Sequence, residues 1–109
     1  MWIFSKFGYF SVVQDFHAPE VLHVRARVAG DIERAFAACG ITADVTVIPD
    51  ADYRYRSKLS RADFLKLLTF FGESLDYPNF KSEVAKDPTQ SDRLSAYHDV
   101  WHVLQAIQE

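Results

Sequence analysis

Asp52-Tyr53-Arg54-Tyr55-Arg56 is the stretch of this chain that most directly predicts a strand and a candidate surface. In an extended strand, successive side chains point to opposite faces of the sheet. Tyr53 and Tyr55 would therefore share one face, and Arg54 and Arg56 would share the other. This alternation predicts a strand that presents two arginines side by side.

A second segment repeats the alternation. In Val24-Arg25-Ala26-Arg27-Val28, the apolar side chains fall on one face, while Arg25 and Arg27 fall on the other together with His23. If the two strands share a sheet, four arginines would line one surface. Guanidinium groups bind phosphate and carboxylate with two parallel hydrogen bonds, so this surface predicts a site for an anionic partner.

The arginines also have a purely structural interpretation. They could be solvated side chains that pair with nearby carboxylates, for which Glu20, Asp50 and Asp52 are the candidates. Charged side chains on edge strands also protect a sheet against aggregation. Lys6, Lys58 and His23 would extend the patch under the functional interpretation; the sequence leaves both open.

Length and composition bound the class of protein. The chain has 109 residues, which predicts a single domain over 1–109, and 49% of them are hydrophobic while 25% are charged, as in globular domains. The net charge of -3 argues against a general nucleic-acid coat protein, because non-specific phosphate binding needs an excess of Lys and Arg. A single cysteine, Cys39, excludes an intrachain disulfide and fits a reducing compartment. With neither a secretory signal nor a long apolar run, the sequence predicts a cytoplasmic protein that has no membrane segment.

The apolar periodicity predicts an α+β fold with the order ββαββα, followed by further helices at the C-terminus. We expect a four-stranded antiparallel sheet with helices on one face, in a ferredoxin-like arrangement. The expected strands are 2–14, 21–28, 45–48 and 52–58. Asp31, Ser60 and Asn79 are the expected N-caps, and Gly40 is the expected end of the first helix. In the last helix, the residues expected to face inward are Leu94, Tyr97, Trp101, Leu104 and either Ile107 or Gln108.

His98-Asp99-Val100-Trp101-His102 is the one segment with metal-ligand spacing, because His98 and His102 would lie one helical turn apart. A zinc site needs at least three protein ligands, and no third ligand follows nearby in the sequence. His98 could also act as a general acid or base. We therefore expect neither a metal nor a cofactor, and we keep a hydrolase that uses His98 as a second alternative.

Two other segments could support the arginines. Asn79-Phe80-Lys81 begins a short helix, and Lys81 in its first turn could complement the arginine-bearing face. Phe7, Tyr9 and Phe10 resemble the aromatic strands on which RNA bases stack, although packing in the core explains them more simply.

Several segments together resemble a family of small uncharacterised bacterial proteins, and the resemblance covers nearly the whole chain. It implies a bacterial or phage origin and one intact domain, and it transfers no catalytic residue and no ligand. The segments that carry it are Met1-Trp2-Ile3-Phe4, Phe7-Gly8-Tyr9-Phe10-Ser11-Val12-Val13, Arg25-Ala26-Arg27, Asp52-Tyr53-Arg54-Tyr55-Arg56, Asp76-Tyr77-Pro78-Asn79-Phe80-Lys81-Ser82-Glu83-Val84 and His98-Asp99-Val100-Trp101.

The sequence favours a small cytoplasmic binding module without catalytic activity. Its partner would be anionic: a nucleotide, a nucleic acid or an acidic protein surface. The alternative is a protein–protein interaction module or a homodimeric regulatory or inhibitor protein. The predicted ligand-binding residues are Arg25, Arg27, Arg54, Arg56, Tyr53, Tyr55 and Lys81.

Overall fold

The computed structural model describes residues 1–108, which form two compact units. The first unit runs from Met1 to Leu75 and contains the whole sheet, and the second begins at Asp76 and is helical. The expected α+β class is confirmed, with one antiparallel sheet and four α-helices over these residues. None of the helices in residues 1–108 is both long enough and apolar enough to cross a membrane.

The sheet has five strands rather than the expected four. Its spatial order is β1-β2-β3-β5-β4, in which every neighbouring pair is antiparallel, and this order does not confirm a ferredoxin-like arrangement. The expected strand 52–58 begins later, at Tyr55. The strands are β1 (Trp2–Ser5), β2 (Gly8–Gln14), β3 (Val21–Ala26), β4 (Thr46–Val47) and β5 (Tyr55–Ser60).

The extra strand arises because the segment 2–14 folds back on itself as a hairpin. Ser5 Oγ donates to the carbonyl of Gly8 and accepts from the backbone N–H of Phe7, each over 3.2 Å. Gly8 has a φ of 144°, a backbone conformation that residues other than glycine rarely adopt. Both faces of this segment are apolar, so its hydrophobic pattern alone carried no sign of the turn.

Two helices cover one face of the sheet. They are α1 (Asp31–Cys39) and α2 (Arg61–Glu73), and their apolar side chains form one core with alternate residues of β2, β3 and β5. In β3, burial alternates strictly along the strand, as the sequence predicts. The core comprises Phe10, Val12, Leu22, Val24, Ala26, Ile32, Ala35, Phe36, Ile41, Leu59, Phe64 and Leu67.

The ends of the helices largely follow the predicted caps. Ser60 accepts a hydrogen bond from the N–H of Asp63 over 3.1 Å, and Gly40 ends α1 in the left-handed conformation. Asp31 was the expected cap of α1, but Gly30 occupies that position. The Asp31 carboxylate is instead buried at 1% exposure and accepts from Arg34 Nη2 over 2.6 Å.

The second unit contains α3 (Phe80–Ala85), a 3₁₀ turn (Ser91–Arg93) and α4 (Leu94–Gln105). Tyr97 is buried as expected, but Trp101 is 50% exposed, Leu104 53% and Ile107 79%, so the prediction that this stripe faces inward is wrong beyond its first turns. The six residues of α3 span only about 9 Å, half the length of α4. A helix that short cannot cover the C-terminal half of the stripe.

We predict that Gly8→Ala destabilises the protein. An added Cβ would lie 2.5 Å from Asp31 Oδ2, and the backbone at φ 144° would be strained as well. Together these two effects should lower the free energy of unfolding by about 3 kcal/mol, as urea denaturation can measure.

Gly72→Ala is the matched control for this substitution. Gly72 lies inside α2 with nothing within 4 Å of the added carbon, so alanine should raise stability by about 0.5–1 kcal/mol. Equal effects of the two substitutions would contradict this account of the Gly8 turn.

Candidate functional site

The two predicted arginine-bearing strands are direct neighbours in the sheet. The register of β3 and β5 places Arg25 opposite Arg56 and His23 opposite Lys58. These residues alternate with the core residues Val24 and Leu22, so they lie on the sheet face turned away from α1 and α2. We call Arg25, Arg56, Lys58 and His23 the basic face.

Tyr53 and Tyr55 do not share a face as predicted. Tyr55 is the first residue of β5, is opposite Ala26 and packs against the core. Tyr53 precedes the strand, so the alternation does not extend to it. Tyr53 is only 4% exposed. Its ring lies beside the guanidinium carbons of Arg25 and Arg27, which are 4.6 and 4.2 Å from the ring centroid.

The arginines hold the segment Asp52–Tyr53 through hydrogen bonds as well as stacking. Arg27 Nη1 donates to the carbonyl of Asp52 over 2.7 Å, and Arg56 Nε donates to the carbonyl of Tyr53 over 3.1 Å. Arg56 Nη2 also pairs with Asp52 Oδ1 at 3.3 Å. Arg25 donates to Ser11 Oγ over 2.7 Å. These arginines therefore have the structural role that the alternative interpretation predicted. Asp52 is the carboxylate that pairs with one of them.

Arg54 and Lys58 differ from the other basic residues of this region. Both are exposed, and their side chains make no hydrogen bond or ion pair with any residue in 1–108. Lys58 lies on the basic face within β5, whereas Arg54 precedes the strand. An external anion can bind these two side chains without breaking a hydrogen bond or ion pair within residues 1–108.

Tyr9 and Tyr53 form a hydrogen-bonded pair, with 2.8 Å between their hydroxyl oxygens. Burial, followed by the hydrogen bond to Tyr53, raises the pKa of Tyr9. Burial acts in the same direction on Tyr53, but hydrogen bonds from Tyr9 and Ser11 and the charge of Arg27 outweigh it and lower the pKa of Tyr53.

His23, the fourth residue of the basic face, is held by a carboxylate. Its Nε2 lies 2.6 Å from Asp15 Oδ1, and Asp15 Oδ2 accepts from the backbone N–H groups of His17 and Ala18, each over 3.0 Å. The hydrogen bond with His23, followed by the two backbone bonds, lowers the pKa of Asp15 to about 2. This carboxylate organises the turn between β2 and β3.

Lys81, His98 and His102 lie in the second unit, and the structure brings Lys81 and His98 together. Lys81 Nζ is 3.2 Å from His98 Nδ1. Within residues 1–108, no group of three His, Cys, Asp or Glu side chains is placed to hold a metal ion. His102 is exposed one turn further along α4.

Sequence reasoning missed Ser11 and Asp15, which position Arg25 and His23. A signal for Ser11 was present, because a single hydroxyl inside the apolar run 10–13 needs a hydrogen-bond partner once it is buried. Asp15 had no comparable signal, since its partner His23 meets it only through the register of β2 and β3.

Comparisons of this chain with protein-family models, with curated proteins and with solved structures found no match.

We predict that the contribution of Asp15 to stability depends on pH. A carboxylate whose pKa is lower in the folded than in the unfolded protein stabilises the fold above its ordinary pKa of 3.8, and this contribution disappears as the pH falls through about 2. Asp15→Asn should therefore lower the urea midpoint at neutral pH, and the difference from wild type should shrink towards pH 2.

Asp50→Asn provides the control, because the Asp50 carboxylate is exposed and makes no hydrogen bond or ion pair with the residues in 1–108. Its urea midpoint should follow that of wild type across the same pH range. A difference between wild type and Asp15→Asn that persists unchanged to pH 2 would contradict the assignment.

Proposed function

We propose that residues 1–75 form a non-enzymatic binding module that recognises an anionic partner through the basic face. The observation that carries this proposal is the pairing of Arg25 with Arg56 in directly opposed positions of β3 and β5. Like charges in such positions repel one another and destabilise a sheet. An anion bound between them would relieve that repulsion.

The charges around the basic face remain unbalanced in the absence of a partner. Arg25, Arg27, Arg56 and Lys58 bring four positive charges, and Asp52 is the carboxylate that pairs with one of them. The first unit as a whole is balanced, since residues 1–75 contain nine basic and nine acidic side chains. The excess is therefore local, which favours recognition of a defined anionic group over general coating of nucleic acid.

The stacked arginines are already ordered for binding. Arg25 and Arg27 lie against the Tyr53 ring, and each such contact contributes about 0.5–2 kcal/mol while it removes freedom from a long side chain. A ligand that binds ordered side chains loses less entropy on association. Phosphate or carboxylate groups of a nucleotide, a nucleic-acid segment or an acidic protein surface supply the matching charge.

The proposal places the protein in the cytoplasm, in keeping with its single free cysteine, Cys39. The bacterial or phage origin that the resemblance to small bacterial proteins implies agrees with this location.

We predict that fluorescently labelled single-stranded RNA or DNA binds the protein and that mononucleotides compete. Affinity should fall steeply as salt increases, and Lys58→Ala should weaken binding and reduce the dependence of log Kd on log salt by about 0.7, the value of one lost phosphate contact. Lys58 is the residue to change because it lies on the basic face without a structural partner in residues 1–108.

Lys66→Ala is the matched control. Lys66 is an exposed lysine on α2, and this helix covers the other face of the sheet. It should bind as wild type does. If Lys58→Ala and Lys66→Ala bind equally, or if no binding occurs at low salt, the nucleic-acid form of the proposal is wrong and acidic protein surfaces become the better candidate.

The second candidate function is interaction with another protein, and the exposed apolar side chains of α4 and of the turn that follows it favour this function. Trp101, Val103, Leu104 and Ile107 are each at least 50% exposed. Sedimentation velocity over a range of concentrations tests the homodimeric form of this alternative, because it distinguishes a dimer from a monomer.

A further inference from the structure

The second unit contains a small pocket between α3 and α4. Its volume is about 200 Å³, below the roughly 300–1,000 Å³ of pockets that take drug-sized ligands, so it suits a ligand with a single ring. The rings of Phe80 and Tyr97 are 5.4 Å apart within it. The lining residues are Asn79, Phe80, Lys81, Tyr97 and Trp101.

Lys81 places one positive charge at this pocket. Its Nζ lies 4.6 Å from the centroid of the Trp101 ring and 3.2 Å from His98 Nδ1. The His98 and Trp101 rings stack at 5.4 Å, with 27° between their planes. An ammonium group donates three hydrogen bonds, of which His98 accepts one, so two donors remain for a ligand.

Lys81 has no carboxylate partner among residues 1–108. Lys86, five residues further on, pairs with Glu83 at 3.3 Å. Acidic side chains are not scarce in this part of the sequence, since residues 76–109 contain six of them and three basic ones. A partly buried ammonium without a counter-charge costs solvation energy, which contact with an aromatic ring offsets only in part.

We propose that this pocket binds a small aromatic carboxylate. The ring of the ligand lies among Phe80, Tyr97 and Trp101, and its carboxylate accepts hydrogen bonds from Lys81. Asn79 adds a donor: its side-chain oxygen accepts from the N–H of Ser82 at 2.9 Å, while its amide nitrogen donates to no group in residues 1–108. The site lies in a different unit from the basic face and takes a different ligand, so it goes beyond the function proposed above.

The experiment titrates the full chain with benzoate, benzamide and acetate. Trp2→Phe leaves Trp101 as the single tryptophan, and Trp2 is 67% exposed in the first unit, so the substitution leaves the pocket intact. The chemical shift of the Trp101 indole N–H reports binding. Benzoate should saturate with a Kd of about 1 mM and bind about tenfold more tightly than benzamide, which lacks the charge, and than acetate, which lacks the ring.

Two lysine variants locate the charge. Lys81→Met keeps the length and the apolar stem of the side chain and should weaken benzoate binding about tenfold, whereas Lys86→Met should leave the Kd within about twofold of wild type. Equal affinity for benzoate and benzamide, or an equal loss in both variants, would overturn the proposal. The comparison of ligands on the unaltered Lys81 decides the question even if Lys81→Met fails to fold.

Discussion

The antiparallel register between β3 and β5 is the constraint on which the rest of the first unit depends. It places Leu22 opposite Leu59 and Val24 opposite Ser57 on the side that α1 and α2 cover. Because side chains alternate along a strand, a slip of one residue would move every core side chain of the displaced strand to the other face. The burial of the core therefore fixes the register, and the register in turn fixes which basic residues meet on the opposite face.

The pairing of Arg25 with Arg56 is a consequence of this packing, and the segment before β5 reduces its cost. The Tyr53 ring stacks against Arg25, while the Asp52 carboxylate pairs with Arg56 at 3.3 Å. These contacts order the arginines, and the single Asp52 carboxylate offsets only one of their charges. Lys58, which has no partner of its own in residues 1–108, adds to the same field. A face that is both rigid and positively charged is suited to an anionic partner.

The sequence predicted the parts of this arrangement that depend on local periodicity. Alternation within 21–26 correctly separated the core residues from Arg25, and the caps at Ser60 and Asn79 were correct because capping involves neighbours in the chain. The prediction that Tyr53 shares a face with Tyr55 was wrong, because alternation does not indicate where a strand begins. Trp101 was expected to face inward because an amphipathic pattern shows an apolar stripe but not the length of the partner that covers it.

The stability of the protein in the presence of a small polyanion tests the central claim most directly. A ligand that binds only the folded state raises the midpoint of thermal unfolding with the logarithm of its concentration. Inorganic tripolyphosphate should therefore raise Tm above the value in sodium chloride of the same ionic strength, and Lys58→Ala should reduce the difference. Equal Tm values in the two salts would contradict the claim that the basic face binds anions.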